Sequence, residues 1–237
     1  LTVDGLPEGL ALDSTHGLIT GSVAEAGSYR MIFRATNAHG TAEREWHLEV
    51  GERIALTPPM GWNSWNCFAH TVSDANIRTA AQAMVESGLI RHGWSYVNID
   101  DYWQTSPGER TDTSLMGPAR DSAGRILPNA RFPDMAALCR DVHRLGLKIG
   151  IYSSPGSTTC GGCVGSWGHE AQDAQTYAAW GFDYLKYDWC SYAQRARDDS
   201  LSELMRPYRV MSQALRAQPR DLLFSLCQYG MGHVPAW

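Results

Sequence analysis

The chain has 237 residues, 43% of them hydrophobic, and a formal net charge of -5. That composition supports a buried core and a globular protein, with room for one large domain or two smaller ones. The acidic balance, with Lys and Arg scattered rather than clustered, argues against nucleic acid as a partner, and no apolar run reaches the roughly 18 residues of a membrane helix. The first residues, LTVDGLPEGL, show neither an initiating Met nor a signal-peptide pattern, so the sequence is expected to begin within a longer protein.

Through residue 51 the pattern has period 2. Tyr29, Met31, Phe33 and Ala35 alternate with outward residues, 37–40 is a turn, and Trp46, Leu48 and Val50 alternate again, which predicts a hairpin lying on a sheet. Upstream, GLPEGLALD and HGLITGSV supply Gly and Pro breaks at the spacing of a small sandwich, although about 50 residues is only half of a full one. Together with AGSYRMIFRATNAHG, these segments resemble immunoglobulin-like modules found beside enzymes in bacterial surface and secreted proteins. The resemblance assigns 1–51 to a partial immunoglobulin-like β module. A spacer and a carbohydrate- or partner-binding unit both fit it.

From residue 52 to 237, after the linker GERIALTPP, the periodicity switches to alternating strands and amphipathic helices. Strands are predicted at 60–65, 96–100, 147–152, 184–188 and 222–227, each a short apolar run ending in polar or charged residues. Helices are predicted at 73–87, 134–145, 171–180 and 202–217. This pattern fits a doubly wound sheet or a barrel, both of which place ligand sites at strand ends. No GxGxxG follows a strand, and TCGGCVGSWG lacks the Lys and Ser/Thr ending of a phosphate-binding loop, which argues against nucleotide binding.

In YLKYDWC the side chains of Tyr184, Lys186 and Asp188 alternate onto one face, and Leu185, Tyr187 and Trp189 onto the other. A Lys ammonium two residues from a carboxylate favours its ionised form, the state a carboxylate nucleophile needs. A buried structural ion pair has the same pattern. Asp100 and Asp101 close the strand YVNID beside Tyr102 and Trp103, offering acceptors next to aromatic faces, as sugar hydroxyls require. Both reach one ligand only if the chain turns at Asp101, and a solvated strand end is the plain alternative. The nine Trp and ten Tyr suit sugar faces, but a large ring buried in a core needs no special explanation, and that is the plainer reading of any single Trp.

The motifs MGWNSWNCF, YVNIDDYW, RFPDM, GLKIGIYSSPG, DYLKYDWC and FSLCQYG, in this order, resemble glycoside hydrolase family 27, the α-galactosidases and α-N-acetylgalactosaminidases. The resemblance covers nearly all of 57–237 and implies a (β/α)8 TIM barrel, here its first five strands or so. It implies that Asp188 is the catalytic nucleophile, that Lys186 holds sugar hydroxyls, and that Asp100 and Asp101 receive the 4- and 6-hydroxyls of a galacto sugar. By the same matching Trp65 packs against the ring, Tyr152 lines the site, and Cys227 and Tyr229 meet the 2-substituent. The expected partner is a galacto-configured oligosaccharide or glycoconjugate, with neither metal nor cofactor.

Tyr102 stands where animal relatives have a Cys, which removes a disulfide, and Gln228 replaces a common Glu. The second change leaves open α-N-acetylgalactosaminidase and β-L-arabinopyranosidase as alternatives, with a catalytically dead carbohydrate-binding barrel as a rival of another class. Cys160 and Cys190 match the family's disulfide beside the active site, which implies an oxidising compartment and a secreted, periplasmic or cell-surface protein. A redox CxxC or half a zinc site at 160–163 lacks a second ligand pair, and Cys67, Cys139 and Cys227 are expected to be buried free thiols. A retaining glycosidase needs two carboxyl groups. The family's acid/base follows the sixth strand, and 57–237 falls short of the roughly 250 residues of a full barrel. The chain alone is therefore expected to be inactive, with two open sheet edges.

Overall fold

A computed structural model describes residues 1–234. It divides into two units, Leu1–Pro58 and Pro59–Trp237.

The first unit is all β. Strands β1 (Thr2–Asp4), β4 (Gly27–Asn37) and β5 (Gly40–Val50) form an antiparallel sheet in the order β1-β4-β5, and β2 (Leu10–Asp13) pairs with β3 (Leu18–Gly21). The expected hairpin is present, with Asn37 opposite Gly40 at its turn. Met31 is its fully buried apolar residue, whereas Trp46 is half-exposed and stands beside Phe33, ring centroids 6.0 Å apart. Arg34 bridges Asp4 of β1 and Glu43 of β5 across the solvent-facing side, where such pairs add little stability.

The second unit holds five parallel strands, β6 (Met60–Asn63), β7 (Trp94–Asn98), β8 (Lys148–Ser153), β9 (Tyr184–Asp188) and β10 (Leu223–Cys227), in the spatial order of the chain. This is a half-barrel sheet, the first part of a (β/α)8 barrel. The crossovers carry α1 (Trp65–Phe68), α2 (Asp74–Glu86), α3 (Met135–Arg144), α4 (Glu170–Trp180) and α5 (Leu201–Arg216). Sequence sets the helix ends: Ser73, Asp134 and Ser200 accept from backbone amides as N-caps of α2, α3 and α5. Helix α4 stops at Gly181, whose φ of 99° suits a residue without a side chain.

The first strand is shorter than the predicted 60–65. Asn63 Oδ1 accepts from the Trp65 amide at 2.9 Å, an Asx turn that ends β6 early and starts α1. Cys67, expected to be buried, lies on that short helix and is exposed; Cys139 is buried as expected, and Cys227 is half-buried. The core lies between sheet and helices. Ile149, Ile151, Leu185 and Tyr187 point outward from the sheet against Leu138, Val142, Tyr177 and Met211. Beside β10, Met205, Phe224 and Leu226 line an open groove of about 430 Å³.

At the N-terminal ends of the strands, Asp183 ties three segments together. Its Oδ2 accepts from the Ile149 amide at 2.9 Å and meets His143 Nε2 at 2.8 Å, and Oδ1 accepts from Arg220. Burial opposes the charge of Asp183, but His143, the Ile149 amide and Arg220 outweigh it and hold the carboxyl below its usual value of 3.8. Because the folded pKa is depressed, this stabilisation is present above 3.8 and is lost as pH falls through the lowered value. Asp183→Ala leaves the buried Ile149 amide without its acceptor, while Arg220 and His143 remain partly solvated, and is expected to cost about 1–3 kcal/mol in urea unfolding at neutral pH. It should also flatten the acid limb of the stability profile, and an unchanged limb would show that Asp183 does not set it.

Candidate active site

The candidate site forms at the C-terminal ends of the strands, the end where barrel enzymes place their chemistry. Strand register decides which side chains meet. Tyr152, Lys186 and Ser225 are in register across β8, β9 and β10, and Asp188 is in register with Cys227. Side chains in register on parallel strands share a face, so these five point to the concave side, opposite Leu185 and Tyr187.

Asp188 is 6% exposed. Its Oδ2 accepts from the Tyr152 phenol at 3.2 Å, and its Oδ1 accepts from the Tyr229 phenol and from the Trp189 amide at 2.8 Å. Burial, and then nearby carboxylates, push the Tyr152 phenol well above its ordinary pKa; burial and the Asp188 charge do the same to Tyr229. Both phenols therefore remain neutral donors. The Cys227 thiol is also pushed up, by burial and then by Asp188.

Lys186 does not make its close pair with Asp188, as the spacing along β9 suggested. Its Nζ donates to Asp100 Oδ2 at 2.8 Å, and Asp188 acts on it more weakly. The cause is geometric: neighbouring same-face residues on one strand are spaced along it, whereas Asp100 comes in from just past the end of β7 to meet the ammonium. Burial works against the Lys186 charge, but Asp100 outweighs it and holds the ammonium above the usual lysine value. The ammonium also lies 5.1 Å from the centre of the Tyr152 ring.

The chain does turn after Asp101. Tyr102 has φ 78°, and its amide donates to Asp101 Oδ1 at 2.8 Å. Asp101 Oδ2 accepts from the Gly161 amide at 2.6 Å. Burial raises the Asp101 carboxyl pKa, and the Thr159 hydroxyl with the Gly161 and Tyr102 amides offsets this only in part. The Tyr102 ring stacks on Trp65, planes 19° apart and centroids 6.3 Å apart, and meets His70 edge-on. Trp103, in contrast, is fully buried in the core and donates from its indole to the Tyr152 carbonyl at 2.7 Å.

A disulfide joins Cys160, in the loop after β8, to Cys190, after β9. Its sulfurs and an Asp188 carboxylate oxygen all lie within 4.8 Å of one another. Cys163, the other half of the CxxC spacing, is a buried free thiol pushed by burial up to about 12. The site thus gathers Asp188, Tyr152, Tyr229, Cys227, Lys186 and Asp100 around one strand end, with Asp101 clamped beside Tyr102, whose ring stacks on Trp65.

Sequence reasoning missed several supports. Ser64, fully buried, accepts from the Asp100 amide at 2.9 Å and fixes where β7 ends. Thr159 and Gly161 serve Asp101 from a loop 60 residues away. Only the glycine pair in STTCGG hinted at a close backbone approach there.

Parallel β/α units with carboxylates, phenols and an ammonium gathered at the C-terminal strand ends have the layout of a barrel enzyme's site. An Alpha galactosidase A family model matches residues 57–234, and an Ig-domain model matches 1–51. Alpha-galactosidase A of Cellvibrio japonicus is 45% identical over 188 residues, covering 78% of this chain and 42% of that protein. A crystal structure of a candidate alpha-galactosidase/melibiase from Bacteroides fragilis matches with TM-score 0.88 and 39% identity, covering 100% of this chain and 47% of the other. The Saccharomyces cerevisiae alpha-galactosidase, solved with raffinose, matches with TM-score 0.69 and 33% identity over 78% of this chain and 38% of that one. The chain belongs to the α-galactosidase A family, glycoside hydrolase family 27. It spans less than half the length of these relatives.

The Lys186–Asp100 pair sets a test of site energetics. Lys186→Met leaves the Asp100 carboxylate, 4% exposed, without its cation and is expected to destabilise by about 3–5 kcal/mol. The double variant Lys186→Met/Asp100→Asn should recover most of that loss in urea unfolding, and additive losses would mean the two residues are not coupled.

Proposed function

We propose that the protein to which this chain belongs is a retaining α-galactosidase that releases terminal α-linked galactose by double displacement. The observation that carries the reading is Asp188, a carboxylate at the end of β9 with a phenol donating to each of its oxygens. In the first step an Asp188 oxygen attacks the anomeric carbon while the glycosidic C–O bond breaks and an acid protonates the leaving oxygen. In the second, water attacks the same carbon, that acid takes up the water proton as a base, and Asp188 departs as a carboxylate.

Tyr152 and Tyr229 orient the nucleophile and keep one carboxylate face toward the sugar. Lys186 and Asp100 form a donor–acceptor pair for hydroxyls, and Asp101 supplies a further acceptor beside the Trp65 ring, which takes an apolar sugar face. Cys227 and Tyr229 border the 2-position. Two carboxylates kept at Asp100 and Asp101 favour a hexose with 4- and 6-hydroxyls, and the raffinose bound to the yeast relative is a galactoside of that kind. Asp100 is committed to Lys186 and Asp101 to backbone amides, so neither is free to serve as acid/base; we assign that role to a segment outside 57–234. The disulfide and the Ig-type module support a secreted, periplasmic or cell-surface setting.

Trapping the full-length protein with a 2-deoxy-2-fluoro-galactosyl fluoride, followed by peptide mass spectrometry, should label Asp188. Asp188→Asn should lower kcat by on the order of 10⁴-fold or more. Label on another carboxylate would overturn the assignment, and activity confined to other sugars would overturn the substrate. The 237-residue chain by itself is expected to hydrolyse no aryl α-galactoside; turnover lost on Asp188→Asn would show that it carries its own acid/base.

A further inference from the structure

Asp101 is 1% exposed, and burial pushes its carboxyl pKa up. A carboxylate offers about four acceptor positions. The Tyr102 amide, the Gly161 amide and the Thr159 hydroxyl draw on three of them, so the direction left for a sugar hydroxyl is set by where these donors stand. Two of the three donors come from 158–163, in the loop after β8. What fixes that loop therefore fixes the acceptor.

Arg110, in the loop after β7, grips it. Its Nη2 donates to the Gly161 carbonyl at 2.7 Å, and its Nε donates to Ser106 Oγ at 2.8 Å. Ser106 in turn donates from its hydroxyl to the Gly162 carbonyl at 3.4 Å and from its amide to the Leu115 carbonyl at 2.8 Å. Among the described residues Arg110 is the one donor to the Gly161 carbonyl, and no carboxylate pairs with its guanidinium. The two glycines leave no space for side chains. A Cβ on Gly161 would stand 2.4 Å from Tyr102 Cε2 and 2.9 Å from Asp101 Oδ2, and one on Gly162, whose φ is 77°, would stand 2.5 Å from Arg110 Nη2. Burial and then Asp101 raise the Tyr102 phenol and the Cys163 thiol, and Arg110 opposes both shifts, so its charge is felt throughout this corner of the site.

We propose that Arg110 is a positioning residue for sugar binding: by holding the Gly161 carbonyl it keeps the Gly161 amide on Asp101 and so aims the free acceptor of that carboxylate at a substrate hydroxyl. This rests on the α-galactosidase reading above. A guanidinium suits the task, because its planar fork donates in two fixed directions at once, here to Ser106 of its own loop and to Gly161 of the next. Without it the Gly161 carbonyl loses its partner, the backbone at 161–162 is free to move, and Asp101 keeps its burial while its donor loosens. Asp101 meets a hydroxyl and not the reacting carbon, so its contact is made alike before and during the reaction. Loss of such binding raises KM and leaves kcat in place. A variant that only weakened the fold would lower the active fraction, and with it kcat, at unchanged KM.

The test uses the full-length protein, an aryl α-galactoside, and the variants Arg110→Met and Arg110→Lys. Expected for Arg110→Met are a KM raised at least fivefold, a kcat within threefold, and faster amide exchange in 158–163 with exchange in α3 unchanged. Arg110→Lys can donate to the Gly161 carbonyl but cannot span Ser106 as well, and its KM should fall between those of Arg110→Met and the unmodified protein. For Arg110→Met, a KM within twofold and unchanged exchange in 158–163 overturn the proposal. A lowered kcat at unchanged KM also overturns it, since Arg110 would then be a prop of the fold, and so does equal loosening of α3. An unmodified protein inactive on every α-galactoside defeats the functional reading instead, and exchange in 158–163 against α3 still decides whether Arg110 locks the loop.

Discussion

Everything in the second unit hangs on the register of its parallel strands. In β9 the same alternation that buries Leu185 and Tyr187 against the helices turns Lys186 and Asp188 to the concave face. A slip of one residue would exchange the two sets, forcing an ammonium and a carboxylate into the apolar layer and leaving aromatic and aliphatic groups in the site. Core packing and the arrangement of the site are therefore one decision, taken by the hydrophobic effect. The sheet also brings in the groups that no single strand contains: Asp100 from just past β7 for Lys186, Tyr152 from β8 for Asp188, and Cys227 from β10 beside it.

The loops at the C-terminal rim carry a different kind of constraint. Six described non-glycine residues have positive φ, and four of them, Ala69, Tyr102, Ser191 and Tyr229, follow β6, β7, β9 and β10. Such conformations cost of order 1–3 kcal/mol each and persist where surroundings over-determine them. At Tyr102 the surroundings are the Trp65 and His70 rings and the Asn129 side chain, which donates to the Tyr102 carbonyl at 2.7 Å. At Ser191 they are the two bonds to Thr158. The strain gathers where side chains must be aimed, away from the helices that bury the core.

The alternating architecture was legible because apolar periodicity reports which face of an element is buried, and Ser73, Asp134 and Gly181 mark helix ends by plain capping chemistry. The cluster around Asp188 was legible only through motif resemblance, since a Lys and an Asp two apart on a strand say nothing about a third residue 86 positions away. That is why the pattern alone did not show Asp100 as the close partner of Lys186. Cys67 failed for a related reason: its exposure follows from an Asx turn made by Asn63, a local event that hydrophobicity does not report. Ser64 and Gly161 act through one hydroxyl and one amide, and neither leaves a compositional trace.

The strands of the barrel unit stand side by side in the order in which they occur along the chain. A ribosome delivers them in that same order. Each newly emerged strand finds its pairing partner already made and lying at the growing margin of the sheet, joined to it by the crossover just synthesised. The sheet can therefore be extended from its N-terminal side as translation proceeds, with no step that waits for a distant segment. The carboxylates of the site are assembled along the way: Asp100 and Asp101 arrive first, and Lys186 and Asp188 are laid against them by a later addition.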